Sequence, residues 1–105
     1  MITINIAKDF AGEPGARTYQ DGNKSGQDFF DNLLKPKYLE AIKQNTKLMI
    51  ILDGTEGFAS SFLNEAFRRL GNEFGPEKAW SNIIVISTEV PKYIDKVKTA
   101  LHEKA

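Results

Sequence analysis

Asp53, Ser60 and Ser61 are the residues best placed to do chemistry, because of what flanks them. The apolar run Leu48-Met-Ile-Ile-Leu52 ends in the carboxylate of Asp53, and a loop carrying Gly54, Thr55, Glu56 and Gly57 leads into Phe58-Ala-Ser-Ser61. The pattern predicts a buried strand, a turn, and an amphipathic helix whose first turn carries two hydroxyls. Unpaired backbone N–H groups and the positive end of the helix dipole meet at such a place. A hydroxyl there is positioned to carry a phosphate or to sit beside a bound one. The plainer role for Ser60 or Ser61 is to cap the helix, worth roughly 1 kcal/mol. Asp53 either holds a cation or a ligand, or accepts backbone N–H bonds from its own loop. A metal site there would need Glu56 to converge on it.

Three arginines are the other candidates. Arg17 follows a Gly15-Ala16 turn and can clamp a carboxylate or phosphate bidentately; as a structural residue it would pair with Asp21 or Asp53. If the first loop folds over the sheet's carboxyl edge, Arg17 and Ser61 come close together. Arg68 and Arg69 are expected on the polar face of the Ser-Ser helix with Asn64 and Glu65, as a solvated face or as a docking patch for an acidic partner. Trp80 reads as a core or rim aromatic. The single histidine, His102, lies near the C-terminus among charged residues and reads as a solvated helix-end group. With one histidine and no cysteine, the chain has almost no material for a Ser/His/Asp triad, a histidine-ligated metal, a thiolate site or a disulfide.

Positioning those residues requires a small α/β domain. The 105 residues are expected to form a single domain over 1–105, with 41% hydrophobic and 27% charged residues. Fourteen basic residues balance fourteen acidic ones, so no net field recruits nucleic acid or an anionic membrane. No apolar run is long enough to span a bilayer, and the start of the chain lacks the pattern of a signal peptide, so a cytoplasmic location is expected. Ile2, Ile4 and Ile6 alternate as in a half-buried strand, and Ala16 to Tyr19 can form a short second strand. Ser25-Gly-Gln-Asp28 reads as a helix N-cap before Phe29, Phe30, Leu33 and Leu34. Pro36 is expected to interrupt that helix before Tyr38, Leu39 and Ile42 continue it. Leu48 to Leu52 reads as a central strand covered on both faces. The helix carrying Phe62, Leu63, Ala66, Phe67 and Leu70 is expected to stop at Gly71, and Gly75-Pro76 marks a loop. Ile83 to Ile86 is a strand, and Pro91 opens a last helix through Ile94, Val97 and Leu101. The alternation implies a mainly parallel sheet of about four strands, with its site at the carboxyl ends of the strands.

The segment Leu52-Asp-Gly-Thr-Glu-Gly-Phe-Ala-Ser-Ser-Phe-Leu-Asn-Glu-Ala-Phe67, with Gly15-Ala-Arg17, Asp21-Gly22 and Ser25-Gly26 upstream, resembles bacterial STAS-like proteins of the DUF4325 group. These look related to the STAS domains of anti-sigma factor antagonists. The resemblance runs from about Gly15 to the last helix and implies a STAS-like fold. In the antagonists the strand–helix junction reads Asp-Ser-Ser-Gly or a threonine variant, and the serine before the glycine is phosphorylated by a partner kinase with a GHKL-type ATP-binding fold. Carried over by position, that serine is Ser61, preceded by Ser60. Here Ala59 stands in the acidic position and Phe62 in the glycine position. The resemblance thus implies a non-enzymatic regulatory module without cofactor or metal. Its contact surface would include Asp53, Gly54, Glu56, Gly57, Phe62, Arg17, Arg68 and Arg69, and its partner would be a GHKL-type ATPase or kinase. The rival reading is a small phosphate- or nucleotide-binding domain built on Gly54, Gly57 and Arg17, although the Gly-x4-Gly-Lys-Ser/Thr pattern of a P-loop is missing.

Overall fold

The computed structural model describes residues 1–104. Strand β1 (Ile2–Asn5) turns directly into a one-turn helix α1 (Ile6–Asp9), so Ile6 leaves the strand it was expected to extend. A single-turn 3-10 helix follows at Tyr19–Asp21. Helix α2 (Gly26–Phe29) passes through a π-turn at Phe30–Leu34 into α3 (Lys35–Lys43). Then come β2 (Leu48–Ile51), α4 (Ser60–Phe74), α5 (Pro76–Ser81), β3 (Ile83–Ile86) and α6 (Lys92–His102). Among the described residues no helix is long and apolar enough to cross a membrane.

The sheet has three strands rather than about four, all parallel, in the order β1-β2-β3. The expected strand over Ala16 to Tyr19 does not form, because its backbone is used elsewhere. The carbonyls of Ala16 and Arg17 accept the N–H groups of Gly26 and Gln27 at 2.8 and 3.0 Å, closing the start of α2. Ser25 caps the same helix, accepting from Asp28 N–H at 3.0 Å. Pro36 does not break the helical run: it enters the first turn of α3, just after the wider π-turn.

A strand order that advances in one direction through right-handed crossovers places both connecting helices on the same side of the sheet. One face is therefore covered and the other open, where a sheet covered on both faces was expected. Ile4, Leu48, Ile50 and Ile83 point into the core with Phe29, Leu34, Tyr38, Phe62, Phe67 and Leu101. The alternate positions form two cross-strand rows, Thr3-Met49-Ile84 and Asn5-Ile51-Ile86. Met49, Ile51, Ile84 and Ile86 stand outside the core cluster and remain partly exposed. Ile51→Lys is accordingly expected to change the unfolding free energy by less than about 1 kcal/mol, since the lysine stem can lie along the open face with its ammonium in water. Urea titration checks this, and a loss of several kcal/mol would mean the face is covered.

Helix α4 runs past Gly71, which was expected to stop it, and ends at Phe74, where Gly75 takes a φ of 92°. Gly71 serves a different purpose. A Cβ there would lie 1.9 Å from the carbonyl oxygen of Leu101, so α4 and α6 touch backbone to backbone at this point. Residues after Gly75 form α5 instead of a loop, with Pro76 in its first turn. Trp80 sits on α5, packed on the rim of the core with the Lys98 ammonium 5.5 Å from its ring centroid. His102 ends α6, exposed, its Nδ1 2.9 Å from the Lys98 carbonyl.

Candidate functional site

The carboxyl end of β2 delivers Asp53 to the edge of the sheet, but its carboxylate does not close its own loop. It accepts from Thr88 N–H at 3.0 Å, Thr88 Oγ1 at 2.8 Å and Glu89 N–H at 2.8 Å, all in the loop after β3. Glu89 answers by accepting Gly54 N–H at 2.8 Å, so the loops after β2 and β3 clasp each other. The N–H of Glu89, then the N–H and hydroxyl of Thr88, hold the Asp53 carboxyl below its ordinary range. A cavity of about 330 Å³ opens beside the clasp, lined among others by Asp53, Thr55, Glu56, Ser87, Glu89 and Tyr93.

That cavity is ill suited to phosphate. Its carboxylates repel an anion, and four of the loop N–H groups beside it already have acceptors. Gly54 donates to Glu89, Glu56 to the Gly12 carbonyl at 2.9 Å, Gly57 to Thr55 Oγ1 at 3.3 Å, and Phe58 to the Tyr93 hydroxyl at 3.3 Å. Glu56 lines the same cavity as Asp53. Its carboxyl lies against that of Glu13, and that contact, the Coulomb repulsion between the two and partial desolvation push the Glu56 carboxyl above its ordinary value. A raised carboxyl pKa means that the folded state holds the proton more tightly than the unfolded chain. Stability is thus gained at low pH and falls as pH rises through the folded pKa. Glu13→Gln is expected to raise the melting temperature at pH 7 and to lose that advantage in acid, where the Glu56 carboxyl is neutral; thermal melts across pH check it.

Past the loop, Ala59 is the N-cap of α4 and makes no side-chain cap bond; Ser60 and Ser61 are the first two helical residues. Neither hydroxyl caps the helix, contrary to the plainer expectation, and neither is hydrogen-bonded within the described residues. Ser60 is exposed and lines a groove of about 260 Å³ with Asn64, Asp95, Lys96 and Thr99; Ser61 is half-buried. Phe62, expected at the contact surface, is fully buried. Its ring lies 5.9, 5.6 and 5.7 Å from those of Phe10, Phe29 and Phe58, and this aromatic cluster fixes where α4 begins.

The arginines converge elsewhere. Glu65, expected on a solvated face, is 2% exposed and gathers all three. It accepts from Arg17 Nη1 at 3.2 Å, from Arg68 Nη2 at 2.8 Å and from Arg69 Nε. Arg17 Nη1 also donates to Asn64 Oδ1 at 2.7 Å, so its partners are neither Asp21 nor Asp53. Glu65 is covered by the start of α2, which crosses α4 so closely that a Cβ on Gly26 would lie 2.6 Å from the Phe62 carbonyl oxygen and 2.9 Å from Glu65 Cβ. Arg17 meets α4 at Asn64 and Glu65, one helical turn past Ser61.

The family model described as a STAS-like domain of unknown function (DUF4325) matches residues 25–93. The chain belongs to this family. The STAS-like match runs from the cap of α2 into the first turn of α6, and so contains β2, the clasp, Ser60, Ser61, Glu65 and both helix arginines. β1 and Arg17 precede it. No curated protein and no solved structure matches the chain. Sequence reasoning missed Glu65, Thr88, Glu89 and Tyr93 as site residues. The i, i+3 and i, i+4 spacing of Glu65 to Arg68 and Arg69 announces ion pairs, whereas the reach of Asp53 to Thr88 and Glu89 across 35 and 36 residues leaves no local trace.

Proposed function

We propose that this STAS-like domain is a non-enzymatic regulatory module that acts through protein–protein contact, and that a phosphate on Ser61, or on Ser60 before it, switches that contact. The observation that carries the reading is the free state of the two hydroxyls. Both stand at the start of α4 without a capping bond, so modification costs the fold no hydrogen bond. A phosphate adds nearly two negative charges at the favourable end of the helix dipole and leaves the helix stable. Its effect then falls on the surface that docks against the 53–61 loop and the exposed side of α4. The partner implied by the family resemblance is a GHKL-type ATPase or kinase.

Phosphopeptide mapping of the protein purified from its source cells tests the switch. Phosphate on Ser61 or Ser60 is expected. A protein unmodified at both serines under every growth condition would overturn it.

A further inference from the structure

A buried carboxylate needs one cation to neutralise it, and Glu65 has three. The arginine side chains are 42%, 19% and 33% exposed for Arg17, Arg68 and Arg69, so the surplus charge faces solvent. Each uses one nitrogen on Glu65, and among the described residues Arg17 Nε and Nη2, Arg68 Nε and Nη1, and Arg69 Nη1 and Nη2 carry no hydrogen bond. The neighbouring charges do not cancel the excess. Lys35 and Glu73 neutralise each other at 2.7 Å, and Glu103, which accepts from Asn64 at 2.9 Å, offsets one charge at that end. Beside the cluster, Arg68 and Arg69 wall an open groove of about 500 Å³ with Phe30, Asn72 and Glu73. A partner anion would find guanidinium groups already held in place by Glu65, and so would lose less side-chain entropy on binding them.

We infer that Arg17, Arg68 and Arg69, fanned around Glu65, form a docking site for an acidic peptide segment of a partner protein. This deepens the proposed interaction role by naming the chemistry its partner presents on the middle of α4. It does not depend on whether Ser60 or Ser61 is modified. Carboxylates spaced along a peptide can meet the three guanidinium groups at once, with one lying in the groove. Electrostatic complementarity of this kind sets association rate and specificity, and weakens as salt rises.

The test is a titration of 15N-labelled protein with a hexaglutamate peptide at low ionic strength, read from the arginine Nε–H and α4 amide resonances. Saturable shifts confined to Arg17, Arg68, Arg69 and residues 64–72 are expected, with no such shifts from hexalysine. Arg68→Gln should weaken binding about tenfold, the loss of one charge-assisted contact, while Lys43→Gln, on α3, should leave it unchanged. The dispersion of each variant's amide spectrum shows whether it is folded; if Arg68→Gln is not, Arg17→Gln, at the most exposed of the three, replaces it. Shifts spread over all basic residues, or equal weakening by Lys43→Gln, would overturn the site. Inorganic phosphate binding as tightly as hexaglutamate would overturn the peptide assignment in favour of a single-anion site. None of these readouts involves Ser60 or Ser61, so the switch and the docking site can fail separately.

Discussion

Gly71→Ala is expected to destabilise the protein by about 3 kcal/mol or more, lowering its melting temperature by roughly 10–20 °C. The added methyl carbon would lie 1.9 Å from the carbonyl oxygen of Leu101, 2.7 Å from its carbonyl carbon and 2.9 Å from its Cα. All three atoms are backbone, so no rotamer change relieves the clash; α6 has to move away from α4. Alanine's better helix propensity returns only about 1 kcal/mol. The loss is large against the roughly 5–15 kcal/mol that holds a domain of this size together. Gly12→Ala is the matched control, since a Cβ there meets nothing within 4 Å, and a change within about 0.5 kcal/mol is expected. Thermal and urea unfolding of the two variants checks the pair. Equal stability of both would mean that α4 and α6 do not cross at Gly71.

Glu65→Gln is expected to cost about 2 kcal/mol at pH 7, a figure reduced from three dry charge-assisted bonds because the arginines are partly in water. The pH dependence is the sharper part. Burial alone would raise the Glu65 pKa, but hydrogen bonds from Arg69, Arg68 and Arg17 outweigh it and set the carboxyl below its ordinary value. A depressed folded pKa contributes stability that is complete above the unfolded value, about 4.3, and is lost as pH falls through the folded one. The gap between wild type and Glu65→Gln should therefore be full at neutral pH and close in acid. Denaturant titrations from pH 7 to pH 3 measure it. A gap that stays constant with pH would show that the contribution of Glu65 is packing and not charge.

The parts of the fold that were legible in the sequence were those governed by local pattern. β2 and β3 follow from apolar runs, α4 and α6 from apolar residues at spacings of three and four, and the start of α2 from Ser25 and Asp28. The misreadings share a cause: a residue with a strong local habit was put to a tertiary use. Gly71 reads as a helix stop and is a helix-crossing point. Pro36 reads as a break but sits where the first turn of α3 tolerates it. The Ala16 to Tyr19 segment reads as a strand, yet its carbonyls close the start of α2. The site divided along the same line. Asp53, Ser60 and Ser61 stand at the strand–helix junction as their order along the chain requires. Glu65 lies on the side of α4 away from Leu63, Phe67 and Leu70, and so reads as solvated. What buries it is the crossing at Gly26 and the arrival of Arg17 from 48 residues away, which no helical wheel records.

Tagged protein expressed in its source cells as wild type, Ser60→Asp and Ser61→Asp, with the co-eluting proteins identified, puts the switch to its most direct test. A GHKL-type ATPase retained by the wild type and lost from Ser61→Asp, or from Ser60→Asp, is the expected result. The same partners on all three proteins, or none on any, would contradict a contact surface switched at the start of α4.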